Sequence, residues 1–392
     1  MSVAARGLES SGVIRPLPPA ARVLICPDKF KGTLDAEAAA LAISEGVLSV
    51  LPDAEVVCLP IADGGEGTVA AAVAAGAVRS VHTVSGPHGA PVAAEIALFD
   101  DGTAVIETAS ASGLALVEPS VESALEASSF GTGELILRAL DAGARTIVIG
   151  LGGSAMTDGG SGALRALGAE VRGAAGEPLP RGGGSLSSGR QLDLTGVDPR
   201  LRDARVIFAC DVDSPLVGPM GAARVFAAQK GADDAAIELL DRGLRHWATL
   251  LADATGVDVD IPGSGAAGGF PAAFLGVTRA EITSGFDVVA EFVGLEARAA
   301  AADLIITGEG SLDAQSLAGK GPVGVARIGA AVGVPVAAVA GVITLTTGEL
   351  RDAGFTAAVA LVEVAPSAEG ALSEPARYAS EAAGRLMLRF RA

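Results

Sequence analysis

The sequence predicts an α/β fold in which helices cross over mainly parallel sheets, and three observations predict it. Short apolar runs lead into glycine-rich loops and then into Ala-rich helical patterns, and this unit recurs along the chain. Glycine numbers 53, well above the usual share, and it clusters in short loops rather than in a low-complexity tract. Half of the residues are apolar but only 3% are aromatic, so Ala, Val, Leu and Ile must build the core. With 392 residues there is material for two domains of ordinary size.

Residues 1–20 carry Ser, Gly, Pro and two Arg without an apolar stretch, and read as a disordered leader rather than a signal peptide. Arg22–Cys26 is a strand, Asp35–Val50 a helix, Glu55–Pro60 a strand and Glu66–Ala75 a helix. From Ser80 to Thr108 short alternating runs, broken at Gly86-Pro-His-Gly89 and Asp100-Asp-Gly102, suggest antiparallel hairpins. Then strand–helix units resume. Gly133–Ala142, Asp158–Leu167 and Asp233–Ala254 are expected helices, and Arg145–Gly150 and Arg205–Cys210 strands. Asp303–Thr307 and Val334–Ala340 are further strands, and Glu374–Arg391 a closing helix. There is no long linker, so the second domain is expected inside the first. Residues 21–82 and 300–392 would form a discontinuous domain, with 83–299 inserted. Gly333-Val-Pro335 divides the longest apolar stretch, Ile328–Leu345, into a helix end and a strand, so it is not a membrane span. A cytoplasmic protein is expected.

The formal net charge of −18 disfavours nucleic acid and anionic membranes as partners. An anionic small molecule must then be held by local positive charge. Of 28 cationic residues only four are lysines, and all four border glycine-rich turns: Lys29, Lys31, Lys230 and Lys320. A compact ammonium beside bare backbone N–H groups suits a phosphate, although surface lysines in turns are also common. Cys26, Cys58 and Cys210 are too dispersed for a disulfide framework, and His82, His88 and His246 lack metal-ligand spacing.

Five loops share one design, an apolar strand running into glycines and acids ahead of a helix. They are Ala62–Thr68, Gly152–Gly160, Cys210–Pro215, Gly263–Gly269 and Gly308–Asp313. Ligands of parallel sheets bind at the carboxyl ends of strands, and glycine lets backbone N–H groups approach an anion. Gly319-Lys320 is followed by Gly321, so no Walker A loop is present. Gly263-x-Gly265-x-x-Gly268 matches a dinucleotide fingerprint by letters alone, after Pro262 and a very short strand. Asp63, Glu66, Asp158, Asp211, Asp213, Glu309 and Asp313 sit in these loops. Turn and cap chemistry accounts for some, Asp158 first among them. Carboxylates around anion-binding glycines otherwise repel a phosphate unless a divalent cation lies between. The combination points to phosphoryl transfer from a magnesium nucleotide.

Pro27-Asp-Lys-Phe-Lys-Gly-Thr-Leu34, Pro60–Thr68, Gly150-Leu-Gly-Gly-Ser154 with Asp158-Gly-Gly160, Cys210-Asp-Val212, Gln229–Ala232, Gly265–Gly269, and Thr307–Gly310 with Asp313 and Gly319-Lys320 resemble the glycerate kinase type I family, in order and over nearly the whole chain. The resemblance implies two α/β domains, a Rossmann-like parallel-sheet domain with a second inserted into it and the active site in the cleft. It also implies ATP, Mg²⁺ and D-glycerate, with 2-phosphoglycerate the favoured product. Asp211, Lys320 and Lys29 are the catalytic candidates. Lys31, Asp28, Lys230 and Ser154 are the substrate-binding candidates. Gly152, Gly153, Gly265, Gly268, Gly269, Gly308 and Gly310 are the nucleotide-binding ones, and Asp63, Glu66, Glu309 and Asp313 the metal ligands. Asp211, just past an apolar strand, suits a general base, and equally a turn-former. The chain departs from the family at Ser311, where members often carry Arg, at Ser214-Pro215, at Ala227-Ala228 and at Ala318. The first leaves open which cation takes the glycerate carboxylate. A kinase of another hydroxy acid or polyol, or a non-catalytic nucleotide sensor, are the alternatives. Whether the chain is a monomer or a homo-oligomer is undecided.

Overall fold

The computed structural model describes residues 16–30, 32–318 and 321–391. Lys31 and Lys320 therefore lie outside the described residues. The chain divides into two units, 1–63 with 289–392, and 64–288. The division falls at 63/64 and 288/289, whereas the sequence suggested 82/83 and 299/300. Strand Val78–Ser85 pairs with Pro91–Leu98 and so belongs to the inserted unit.

In the first unit, one five-stranded sheet has the order Phe355–Ala360, Val336–Ile343, Leu304–Leu312, Arg22–Ile25, Glu55–Cys58, with every pair parallel. The chain winds one way from Arg22–Ile25 and the other way from Leu304–Leu312. The order therefore reverses between these two central strands, where open α/β sheets form their binding crevice. Helix Ala36–Val50 begins at Asp35, whose carboxylate accepts the Ala38 N–H at 2.7 Å. It packs on helix Pro375–Met387, and Gly46 lets the two approach: a Cβ there would lie 2.7 Å from the Ala383 Cβ. Val23, Ile25, Ile306, Val339 and Val359 fill the core beneath.

The inserted unit is built on a six-stranded sheet, in order Arg279–Thr283, Arg205–Ala209, Thr146–Gly150, Thr103–Glu107, Pro91–Leu98, Val78–Ser85. The first four strands are parallel. Pro91–Leu98 pairs antiparallel with both neighbours. Thr103–Glu107, expected in a hairpin alone, thus joins the hairpin to the parallel sheet. Phe208, Phe270 and Phe274 meet at centroid distances of 5.2 to 5.8 Å and centre its core. Among the described residues no helix is long and apolar enough to cross a membrane.

Candidate active-site residues

In the first unit, three strand ends converge on the crevice. After Ile25, the Cys26 N–H donates to the Ile306 carbonyl and the Asp28 N–H to the Gly308 carbonyl, both at 2.8 Å. The strand Glu55–Cys58 continues alongside, with Ile61 N–H donating to the Pro27 carbonyl before the chain reaches Asp63. This ladder sets Asp28 and Lys29 beside Gly308-Glu309. Asp28 is 8% exposed, and its Oδ1 accepts the Lys29 N–H at 2.7 Å. Burial pushes its carboxyl up to about 7, the Asp63 and Glu309 charges add to the rise, and Lys29 opposes it. The half-buried Glu309 accepts the Ser316 hydroxyl at 2.6 Å. Asp28, Lys29, Asp63 and Glu309 are therefore one electrostatic group.

Asp313 stands apart from that group in its bonding. Its Oδ1 accepts the Gln315 N–H at 2.8 Å and its Oδ2 the Ser311 hydroxyl at 2.9 Å, so it builds the turn that follows the strand. These bonds, the Gln315 N–H first, hold its carboxyl below the usual range. Gly308 and Gly310 lie inside strand Leu304–Leu312 rather than in a loop, because the strand runs five residues past Thr307. Gly308 pairs with Val339 in the ladder, and its carbonyl already accepts from Asp28.

In the inserted unit the glycine loops interlock at the carboxyl edge of Thr146–Gly150 and Arg205–Ala209. Leu151 N–H donates to the Gly64 carbonyl, Gly159 N–H to Gly268, and Gly265 N–H to Ser214. Gly268 and Gly269 have positive φ, as does Ala267, and a Cβ on Gly268 would sit 2.6 Å from Thr157 Cα. No strand precedes Gly263, so the fingerprint match has no strand–turn–helix behind it. Asp158 is fully buried and ties two helix starts together. It accepts the Ser129 N–H and hydroxyl at 2.9 Å, Gly160 N–H at 3.1 Å and Gly162 N–H at 3.2 Å. Burial raises its carboxyl, and these bonds lower it. Asp211 lies two residues beyond strand Arg205–Ala209, and its Oδ1 accepts the Gly285 N–H at 2.9 Å, at the head of helix Gly285–Phe292.

Lys230 is 2% exposed, and its Nζ donates to the Met156 carbonyl at 2.6 Å and to the Ser154 hydroxyl at 3.3 Å. It is a buried tie on the Gly152–Gly160 loop, not a solvent-facing substrate contact. Ser154 itself is 8% exposed. Glu66 is exposed ahead of helix Thr68–Ala74. The sequence reading passed over Glu107. Its Oε1 accepts the N–H groups of Gly67 at 3.0 Å and Val69 at 2.8 Å, and so caps that helix. An acid ending the apolar run Ala104–Ile106 was the available signal. Among the described residues no three His, Cys, Asp or Glu side chains form a metal cage. Mg²⁺ does not demand one, since one or two carboxylates with phosphate oxygens and water complete its shell.

The chain matches the glycerate kinase family over residues 23–391. It is 46% identical over 339 residues to a glycerate 2-kinase of Escherichia coli, covering 86% of this chain and 89% of the relative. It is 43% identical over 360 residues to a glycerate kinase of Bacillus subtilis, covering 91% and 94%. A crystal structure from Salmonella typhimurium LT2, provisionally assigned as a glycerate kinase 2, superposes with a TM-score of 0.83 at 41% identity, covering 94% of this chain and 98% of that one. Identity at this level over nearly full length, joined to the same fold, settles the family. The chain is an enzyme that belongs to the glycerate kinase family.

Proposed function

We propose that the enzyme transfers the γ-phosphoryl group of MgATP to a hydroxyl of D-glycerate, giving 2-phosphoglycerate. The observation that carries this reading is the crowding of Asp28, Asp63 and Glu309 beside Lys29 at the reversal of the first sheet. A carboxyl raised to about 7 by burial and by two like charges is poorly matched to an empty crevice. It is well matched to a divalent cation, and Asp28, Asp63 and Glu309 would hold Mg²⁺ there. Bound there, Mg²⁺ neutralises charge on the phosphate oxygens.

The protein's own groups do the rest. Lys29 adds positive charge next to the acids, and Lys320 is assigned the same task. The N–H groups of Gly152 and Gly153, half-exposed and exposed, take nucleotide phosphate oxygens. The Gly265 and Gly269 N–H groups donate to the Ser214 and Gly265 carbonyls, so Gly265, Gly268 and Gly269 shape the neighbouring loop. Asp211 accepts the proton of the attacking hydroxyl. Its bond to Gly285 N–H supports this role by fixing one oxygen and so orienting the other. Ser154 and Lys31 remain assigned to the hydroxy acid. The test is ADP release from MgATP with and without D-glycerate, at fixed Mg²⁺ and after chelation. Release that depends on both D-glycerate and Mg²⁺ supports the reading. Release that ignores D-glycerate, or survives EDTA, contradicts it.

A further inference from the structure

The loop that follows strand Thr146–Gly150 is held at several points. Gly153 offers its carbonyl to Leu114 N–H at 2.7 Å, and Ala155 N–H donates to the Ser112 carbonyl at 2.8 Å. Gly159 donates to Gly268 at 3.0 Å and accepts the Trp247 indole N–H at 2.9 Å. Asp158 anchors the end of the loop from inside. The centre of the loop, Ser154 to Met156, is held from the interior by Lys230. That side chain comes from a short helical turn, Ala228–Lys230, which ends at Gly231 with φ of 100°. A Cβ on Gly231 would sit 2.6 Å from Ser120 Cα, so the turn is pressed against a neighbouring segment and aims Lys230 inward. Among the described residues the N–H groups of Gly152 and Gly153 have no protein acceptor. Gly152 is half-exposed and Gly153 exposed. These two solvent-accessible donors sit beside a loop held from several sides, and they are open to a ligand.

We propose that Lys230 is a positioning residue that acts through the Met156 carbonyl and the Ser154 hydroxyl to hold the Gly152 and Gly153 N–H groups in place for the nucleotide phosphates. The inference rests on the nucleotide assignment made above. It differs from a substrate contact, because a side chain 2% exposed has no face for glycerate. Its physical logic is the expense of burying an ammonium. Desolvation lowers its pKa to about 7, with the Asp158 charge opposing. An apolar side chain would fill the space more favourably, unless the donors do something a methyl cannot. They bond an otherwise buried carbonyl and a hydroxyl two residues away, and so fix the loop's curvature.

The experiment uses the full chain with Lys230→Met, which keeps length and removes the donors. ADP binding is measured by calorimetry, alongside thermal melting and the KM values for ATP and D-glycerate. The expected result is at least tenfold weaker ADP binding and a matching rise in KM for ATP, with the KM for D-glycerate changed by less than twofold. Lys230→Gln keeps one donor and should weaken ADP binding about threefold, less than Lys230→Met does. If Lys230→Met does not fold, Lys230→Gln carries the test: it must weaken ADP binding about threefold with the KM for D-glycerate changed by less than twofold. ADP affinity unchanged in the folded variants overturns the proposal, as does a rise confined to the D-glycerate KM. Wild-type protein that binds ADP but does not phosphorylate D-glycerate refutes the function and leaves this test standing. Wild-type protein that does not bind ADP overturns the inference.

Discussion

Asp211 and Lys230 show how one side chain can be read only when its partners are known. Both sit just past or within a motif, and both carry a charge near glycine loops. Asp211 offers one oxygen to Gly285 N–H. Asp211→Asn keeps the shape and most of the bonding but removes the basicity. If Asp211 is the base, kcat falls at least a hundredfold, about 2.7 kcal/mol of lost transition-state stabilisation, while ADP and D-glycerate still bind. Unchanged turnover passes the role to another acid. Lys230 makes a prediction in pH. Its folded pKa lies below its ordinary value of 10.5, at about 7. The folded state therefore gives up a proton that the unfolded state keeps between these values. The penalty for burying the charge is full below about pH 7 and is relieved as pH rises towards 10. Urea melts of wild type and Lys230→Met at pH 6 and pH 9 should show wild type gaining relative to the variant at the higher pH. A difference that does not move between these pH values contradicts the buried ammonium.

Elements with a clear period or cap were legible in the sequence. Helix Ala36–Val50 is such a case, with Asp35 ahead of an Ala-rich run. Asp35→Ala should cost about 1 kcal/mol in urea unfolding. Gly46 was not legible, because its requirement comes from helix Pro375–Met387, more than three hundred residues on. Gly46→Ala pushes a methyl into Ala383 and should cost about 2 kcal/mol. Stability equal to wild type would show that the two helices can separate without loss. Strand Leu304–Leu312 was expected to end at Thr307, because glycines and an acid imitate a loop. In fact pairing with Val336–Ile343 carries it through them, so Gly308 and Gly310 are ladder residues. Strands Arg279–Thr283 and Phe355–Ala360 were passed over, since neither is followed by a glycine loop that marks it. The same reasoning explains Glu107. Its role as a cap depends on Gly67 and Val69, about forty residues earlier, and its place at the end of an apolar run is the one local sign of it.

At the scale of the molecule, two sheets present chemistry at the carboxyl ends of their parallel strands, each in its own unit. The first gathers acids and an ammonium at the reversal of strand order, and the second a set of interlocked glycine loops. The sequence contained every loop but could not say which acids are ligands and which are turn-formers. Asp158 accepts bonds from two helix starts and Asp313 bonds from the turn after its strand. Asp28 emerges as a member of the charged group, because burial and two neighbours act on it together. Asp63→Asn should lower kcat at least a hundredfold and raise the Mg²⁺ concentration needed for half-maximal rate. A normal Mg²⁺ titration would remove Asp63 from the metal. The family membership narrows the chemistry to a kinase, and the acceptor is the remaining question. The most direct measurement is phosphorus NMR of the protein incubated with MgATP and D-glycerate. The account predicts loss of the γ-phosphate signal with stoichiometric growth of 2-phosphoglycerate. Growth of inorganic phosphate alone, or no change in the ATP signals, would contradict it.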